Sequence, residues 1–129
     1  MIIVGMTNER CTRVVAENTA EVVGSGTLPV FATPSMILLA EQTASECVMS
    51  ELQDGESTVG TLLNIGHTAP SVVGSEIRCK VELKEIDRSR LVFDVTVCDE
   101  HGIIGSGIHE RFIVKADKFM AKARERSSN

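Results

Sequence analysis

The amino-acid sequence predicts an α+β domain in which an antiparallel sheet covers one long helix. A single apolar segment with helical periodicity, from Thr33 to about Gln53, is followed by segments in which apolar and polar residues alternate. Turn-forming residues separate the alternating segments, and the 129 residues contain no internal repeat or low-complexity stretch. The helix is apolar over more than half of its circumference, so one flat sheet could not cover it.

The long helix has clear start and stop signals. Thr33 is a residue type that favours the N-cap position, and Pro34 suits the first helical position because an N–H there would have no partner. Asp54 and Gly55 predict the end of the helix. Before the helix, the β-branched segment from Thr12 to Val23 predicts one edge strand, and a Gly- and Pro-containing loop follows it.

Three strongly alternating segments and one final segment predict four more strands, with a short helix from Asp117 to Arg126 after them. The strands are expected over Ser57 to Thr68, Glu76 to Ile86, Leu91 to Val97 and Ile103 to Lys115. In the first of these, the residues expected to share one face are Val59, Thr61, Leu63, Ile65 and His67. A sheet wrapped around one long central helix is the arrangement of the hotdog fold. We expect one such domain over residues 1–129, with its last three residues frayed.

Composition argues against several classes of function. The net charge of -5 provides no basic surface for nucleic acid. No apolar run is long enough to span a membrane, and the first residues lack the features of a signal peptide, so we expect a cytoplasmic protein without a membrane partner. The cysteines, Cys11, Cys47, Cys79 and Cys98, form no C-x-x-C pair and predict small buried side chains in a reducing compartment. We expect no metal site and no cofactor.

Glu41 is the residue that fits its surroundings least. It follows the apolar run from Met36 to Ala40 and, in helical projection, points between Ile37 and Val48 inside the apolar arc. Burial there would make the charged form costly unless partners are supplied, which is the condition under which carboxylates act as nucleophiles or general bases. The alternative is a helix at a subunit edge, with Glu41 in contact with water.

Four other positions have a chemical reading beside a structural one. His67 ends a strand at the rim of the core, where a histidine can be structural or can transfer a proton or polarise a carbonyl. Thr33 is explained by capping, although the free N–H groups of a helix terminus can also stabilise an oxyanion. Gly60 allows close packing of helix on sheet or backbone access for a ligand. Arg111 is either a surface side chain or a phosphate contact.

Five short motifs follow one another with a distinctive joint spacing. They are Val30-Phe31-Ala32-Thr33 followed by Glu41, Val59-Gly60-Thr61, His67-Thr68-Ala69, Gly105-Ser106-Gly107-Ile108-His109-Glu110-Arg111, and Lys118-Phe119-Met120-Ala121-Lys122. Together they resemble the fluoroacetyl-CoA thioesterase family of hotdog proteins, over roughly Gly26 to Arg126. Each motif alone is weakly specific, whereas their joint spacing is strongly specific.

The resemblance implies an acyl-CoA thioesterase whose catalytic residues are Thr33, Glu41 and His67. It also implies that the backbone of Gly60 faces the thioester or a water and that Arg111 contacts coenzyme A. Glu41 would attack the carbonyl to give an anhydride, or would activate water; the sequence leaves both open. Thr33 would hold Glu41 or the thioester oxygen in place, and His67 would polarise the carbonyl or protonate the leaving thiolate.

We expect a homodimer with active sites between its subunits. Thr33 and Glu41 are eight helical positions apart, or about 12 Å along the axis, so they can share a site only through substrate, water or a second subunit. The helix is also too apolar for one small sheet to cover, which favours two sheets joined edge to edge.

The expected substrate is a small or medium acyl-CoA thioester. Family members have a longer Phe- and Pro-rich segment that shields the acyl pocket, whereas this chain has only the segment from Glu21 to Pro29, without an aromatic residue. A fluorinated substrate is therefore not expected to be preferred. The alternatives are an acyl-CoA binding module without turnover and a hotdog hydratase, although the Asp and His pairing of the hydratases is not visible.

Overall fold

A five-stranded antiparallel sheet packs against one long helix in the computed structural model, which describes residues 1–128. The elements are β1 (Thr7–Arg13), a 3-10 turn (Ala16–Asn18), α1 (Ala20–Val23), α2 (Thr33–Met49), β2 (Glu56–His67), β3 (Glu76–Asp87), β4 (Arg90–Asp99), β5 (Gly102–Lys115) and α3 (Ala116–Ser127). The strand order is β1-β3-β4-β5-β2. The expected α+β class is confirmed. Of the three residues expected to fray, Ser127 ends α3 and Ser128 donates its N–H to the carbonyls of Arg124 and Glu125, whereas Asn129 lies outside the described residues.

The core lies between α2 and the inner face of the sheet. The helix buries one stripe, made of Met36, Leu39, Ala40, Thr43, Ala44, Cys47 and Val48. The two central strands that face it bury every second residue, namely Ile77, Cys79, Val81 and Leu83 in β3 and Leu91, Phe93, Val95 and Val97 in β4. The period-2 alternation of these strands is therefore confirmed.

The edge strand predicted from Thr12 to Val23 is wrong in position. The strand β1 ends at Arg13, and the residues after it form the 3-10 turn and the short helix α1. Asn18 explains the early end, because its Oδ1 accepts a hydrogen bond from the N–H of Val15 at 2.9 Å. Local bonds of this kind from an Asn side chain to the backbone stabilise turns over strands.

The long helix ends earlier than predicted. The α-helical bonding stops at Met49, four residues before Gln53. Beyond that point the N–H groups of Glu51 and Leu52 donate to carbonyls only three residues back, which is the tighter 3-10 pattern that closes many helices. Gly55 then adopts a φ of +83°, which turns the chain into β2.

A β-bulge in β2 overturns the predicted face of its first half. Gly60 pairs with Arg111 and Leu62 with Glu110, so Thr61 is an extra residue without its own partner in β5. Before the bulge the inner-face residues are even-numbered, as shown by buried Thr58. After the bulge they are the predicted Leu63, Ile65 and His67, whose partners in β5 are His109, Gly107 and Gly105.

The free edge of β2 exposes two leucine side chains. Within residues 1–128, β2 pairs only with β5, and its Leu62 and Leu63 are 43% and 40% exposed. The neighbouring α2 exposes Leu38 as well, at 55%. No helix within residues 1–128 combines the length and apolarity needed to cross a membrane.

Candidate active site

Thr33 and His67 form a hydrogen-bonded pair. Thr33 lies in the first turn of α2 and His67 at the end of β2, and Thr33 Oγ1 is 2.8 Å from His67 Nδ1. The predicted N-cap role of Thr33 is wrong: Ala32 occupies the cap position with an extended backbone, and no side chain caps the helix. The hydroxyl is therefore directed to the histidine instead of the helix terminus.

His67 presents its other ring nitrogen without a partner. Nε2 is buried and has no hydrogen bond within the described residues. Burial lowers the pKa of His67 from its ordinary value of 6.5, with a smaller opposing effect from the backbone of Ala69. In the neutral tautomer in which Nδ1 accepts the Thr33 hydroxyl proton, Nε2 carries a hydrogen and is a donor that lacks an acceptor.

A pocket of about 340 Å³ adjoins this pair. Besides Thr33 and His67, it is lined by Ala20, Ser25, Val30, Phe31, Thr68, Ala69 and Pro70. Both the segment predicted as an edge strand and the predicted loop supply part of this wall: Ala20 begins α1, and Ser25 follows Gly24, where the chain turns with a φ of +92°. The lining is largely apolar and its polar groups are concentrated at the histidine, as in sites that bind an apolar ligand with one reactive end.

Glu41 lies on the edge of α2 and is only partly buried. Its side chain is 37% exposed, and its Oε2 is 3.3 Å from Arg111 Nη1. The expectation of a carboxylate enclosed in the apolar arc is therefore wrong: the buried stripe of α2 passes to one side of it, through Ala40 and Ala44. In this single chain the alternative applies, in which Glu41 reaches the surface.

Gly60 lies where Glu41 approaches the sheet, and a side chain at this position would have to displace the carboxylate. A Cβ at position 60 would collide with Glu41 Oε2 and would lie 3.3 Å from Arg111 Nη1. Of the two readings of this glycine, close packing of helix on sheet is supported directly. Because glycine has no side chain, the backbone of Gly60 lies directly beside the carboxylate of Glu41.

Arg111 is a buried residue, so the surface reading of this arginine is wrong. It is 7% exposed and donates from Nε to Thr58 Oγ1 at 2.9 Å and from Nη2 to the Thr58 carbonyl at 3.1 Å. Its Nη1 faces both Glu41 Oε2 and His109 Nε2, at 3.3 and 3.2 Å. Desolvation lowers the pKa of Arg111, and the charge of Glu41 opposes this shift. A contact of Arg111 with coenzyme A stays a prediction, while the bonds to Thr58 and Glu41 favour another role, in which Arg111 holds the carboxylate.

The structure groups the expected residues into two half-sites. The first contains Thr33 and His67, and the second contains Glu41, Gly60 and Arg111 beside a groove of about 360 Å³ on the outer side of α2. No residue lines both cavities. Sequence analysis gave no role to Thr58 or to His109, although alternation along β5 places His109 on the same face as Arg111.

Metal ligands are not clustered in either half-site. Within residues 1–128, no group of three or more His, Cys, Asp or Glu side chains is arranged to hold a metal ion. The four cysteines are free, with Cys47 and Cys79 buried, Cys98 partly buried and Cys11 exposed. The expectation of small buried side chains is wrong for Cys11, which lies on the edge strand β1.

Comparison with known proteins shows the family of this chain. The family described as "FlK: Fluoroacetyl-CoA-specific thioesterase" matches residues 14–117. The chain belongs to this family. A fluoroacetyl-CoA thioesterase from Streptantibioticus cattleyicolor is 35% identical over 98 residues, which are 76% of this chain and 70% of that protein.

Solved structures agree with this FlK-family assignment. A variant of FlK in complex with acetyl-CoA is 28% identical, with a TM-score of 0.91 over 97% of this chain and 98% of that one. A hot-dog-like protein from Thermanaerovibrio acidaminovorans is 24% identical, with a TM-score of 0.88 over 95% and 91% of the two chains. The expected hotdog fold is confirmed, and so is the expectation that this FlK-family chain is an acyl-CoA thioesterase.

Proposed function

We propose that the protein hydrolyses coenzyme A thioesters of small or medium acyl groups, at sites completed by a second copy of the chain. Membership of the FlK family supports the reaction class. The observation that carries the residue assignment is the hydrogen bond between Thr33 and His67, because it leaves a buried Nε2 without a partner beside an apolar pocket. A thioester oxygen or a leaving thiolate supplies the acceptor that this nitrogen lacks.

His67 is the hydrogen-bond donor in this proposal. With Nδ1 accepting from Thr33, the neutral ring donates its Nε2–H to the thioester carbonyl oxygen and then to the sulfur as the C–S bond breaks, and the thiolate takes its proton from the water that is consumed. Burial, which lowers the pKa of His67, favours the neutral ring and therefore this single donor. Thr33 fixes the tautomer and orientation of the ring through a hydroxyl that is no longer used for capping.

Glu41 supplies the carboxylate that starts the reaction. If it attacks the carbonyl carbon, the C–S bond breaks, an anhydride forms and water later releases the acid. If it acts as a general base, it takes a proton from water, and the resulting hydroxide equivalent displaces the thiolate. Both routes consume one water and yield one acid and one thiol. Gly60 leaves the carboxylate approachable from the sheet side, where the thioester or a water can contact its backbone.

A second copy of the chain is needed to bring the half-sites together. Within one chain, Thr33 and Glu41 are separated by about 12 Å along α2, and they line different cavities. Antiparallel pairing of two β2 edges around a two-fold axis near Leu63 would bring the His67 end of one strand beside Gly60 of the other. The exposed Leu62 and Leu63 on that edge support such pairing, because an apolar unpaired strand is costly in water.

A thiol-release assay over a panel of acyl-CoA thioesters tests the proposed reaction. We expect saturable release of coenzyme A with acetyl and larger acyl groups. Binding of the thioesters without thiol release would instead identify the binding module. Hydration of a 2,3-unsaturated acyl-CoA without thiol release would identify the hydratase.

A further inference from the structure

His109 is a fully buried polar residue next to the Glu41 half-site. It is 0% exposed, and its ring stacks on Phe93 with centroids 6.3 Å apart. Its Nδ1 lies 2.8 Å from the carbonyl oxygen of Leu62, which is the residue immediately after the bulge in β2. Its Nε2 lies 3.2 Å from Arg111 Nη1. A residue without exposed surface cannot touch the substrate, so any effect on the reaction passes through these partners.

The partners of His109 determine its protonation state. The carbonyl of Leu62 can only accept, so Nδ1 carries the hydrogen. The guanidinium of Arg111 can only donate, so Nε2 must offer its lone pair. The ring is therefore neutral, in agreement with the lowered pKa of His109, which results from burial first and is reinforced by the charge of Arg111. The histidine thus connects the bulge of β2 to the arginine.

Arg111 Nη1 is shared between His109 and Glu41. One of its hydrogens points to His109 Nε2 and the other to Glu41 Oε2. Of the three remaining N–H groups, Thr58 accepts from Nε and from one of the two on Nη2. If His109 offered no acceptor, Nη1 would keep one unsatisfied hydrogen in a buried place, and the guanidinium would gain by turning away from Glu41.

We propose that His109 is a positioning residue, which holds Arg111 so that Nη1 points at the carboxylate of Glu41. This inference rests on the proposed catalytic role of Glu41. The neutral imidazole fixes the guanidinium on the side away from the groove, and the guanidinium fixes the carboxylate against Gly60. Hydrogen bonds lead from Leu62 through His109 and Arg111 to Glu41. The position of the Glu41 carboxylate therefore depends on the backbone of the bulge in β2.

Two amide substitutions separate the two hydrogen bonds of His109. In His109→Asn the amide nitrogen replaces Nδ1 and keeps the bond to Leu62, but no atom reaches Arg111. In His109→Gln the amide oxygen replaces Nε2 and keeps the acceptor for Arg111, while the bond to Leu62 is lost. We expect kcat on acetyl-CoA to fall about tenfold or more in His109→Asn and to stay within about threefold of wild type in His109→Gln, with KM little changed in either.

A matched destabilised variant and a double substitution complete the test. Val81→Ala removes buried volume from β3, far from these hydrogen bonds, and should lower the melting temperature without lowering kcat. Arg111→Met removes the group through which His109 acts. Adding His109→Asn to it should therefore reduce kcat by less than about twofold further.

Three results would overturn the positioning role. They are wild-type kcat in His109→Asn, equal losses in His109→Asn and His109→Gln at matched melting temperatures, and fully multiplicative losses in the double variant. Glu41→Gln, assayed in parallel, separates this failure from failure of the proposed function. Loss of turnover in Glu41→Gln together with normal turnover in His109→Asn would reject only the role of His109, whereas normal turnover in Glu41→Gln would reject the proposed site itself.

Discussion

The hydroxyl of Thr33 and the Nδ1 of His67 are hydrogen-bonded at 2.8 Å, although 34 positions separate the two residues in the chain. The bond joins the first turn of α2 to the last residue of β2. Thr33 does not cap the helix, because Ala32 occupies the cap position and Thr33 already lies in the first turn. The start of the helix and the histidine are therefore positioned together, at the mouth of the apolar pocket.

Replacement of Glu41 by Gln should nearly abolish turnover. The amide keeps the shape of the side chain but can neither attack a carbonyl nor take a proton from water, so kcat should fall about a hundredfold or more. The control is Glu51→Gln, the same change just after the end of α2, where an ion pair with the N-terminal amine is lost. Thiol release and circular dichroism should show an inactive but folded Glu41→Gln and an active Glu51→Gln. Equal activity of both variants would remove Glu41 from the mechanism.

Two inactive variants should restore each other's activity in a mixed dimer. In a dimer of one Glu41→Gln chain and one His67→Gln chain, one of the two shared sites retains both intact residues. With random assembly at equal amounts, the mixture should recover about a quarter of the wild-type activity. Light scattering should show a dimer at micromolar concentration. No recovery after verified subunit exchange would mean that each site uses residues of one chain only.

Replacement of Arg111 by Met should affect coenzyme A thioesters and short pantetheine thioesters to the same extent. The guanidinium is buried and bonded to Thr58 and Glu41, so its loss should disturb the carboxylate, at the thioester end of either substrate. The measurement is kcat/KM for acetyl-CoA and for acetyl-pantetheine. A much larger rise in KM for the coenzyme A thioester alone would instead support a contact with the nucleotide phosphates, as the sequence suggested.

Specificity should favour medium acyl chains over fluoroacetyl. The pocket beside His67 has a volume of about 340 Å³ and is bounded by a segment in which Ser25 is exposed. An apolar contact to one halogen or methylene is worth only about 1–3 kcal/mol, so discrimination of fluoroacetyl-CoA from acetyl-CoA should be modest. Ser25→Phe should reduce kcat/KM for medium chains more than for acetyl-CoA, whereas Ser25→Ala should change neither. A preference for fluoroacetyl-CoA of more than about a thousandfold would show that another element replaces the missing aromatic segment.

Stability should decrease as the pH falls from about 7 to 5, in part because of His109. Burial lowers the pKa of His109 in the folded chain, whereas in the unfolded chain it returns to its ordinary value of 6.5. Below that value His109 binds a proton in the unfolded state but not in the folded state, so the free energy of unfolding decreases. Urea titrations at several pH values should show a smaller decrease for His109→Gln than for wild type. His101→Gln is the control, since His101 is 84% exposed in its side chain; an identical slope in all three would contradict this account.

Much of the fold could be predicted because its information is local. The alternation of apolar and polar residues in β3 and β4 predicted which side chains are buried, since both strands lie in the middle of the sheet with one face on α2. The position of β1 could not be predicted in the same way. The β-branched residues after Arg13 favour a strand, and this preference is overridden by the hydrogen bond that Asn18 makes with the backbone of Val15.

The sequence singled out candidate site residues but could not specify the contacts between them. Residue type and joint spacing singled out Thr33, Glu41 and His67, yet spacing along the chain does not say that Thr33 pairs with His67 and Glu41 with Arg111. Those pairings depend on where α2 packs on the sheet, with Thr33 beside the end of β2 and Glu41 beside β5. His109 was passed over because a histidine inside a strand carries no local signal of its partners, which lie 47 positions away at Leu62 and two positions away at Arg111.

The extra residue Thr61 has a consequence for how one strand can serve two half-sites. A regular strand presents residues of a single parity to the helix, so Thr58 and Gly60 could not share a face with Ile65 and His67. By inserting one residue, the bulge changes which residues of β2 face the helix. Before the bulge these are Thr58, which bonds to Arg111, and Gly60, which lies against Glu41; after the bulge they include His67. Deletion of Thr61 would restore a single parity, and one of the two half-sites would then face away from the helix.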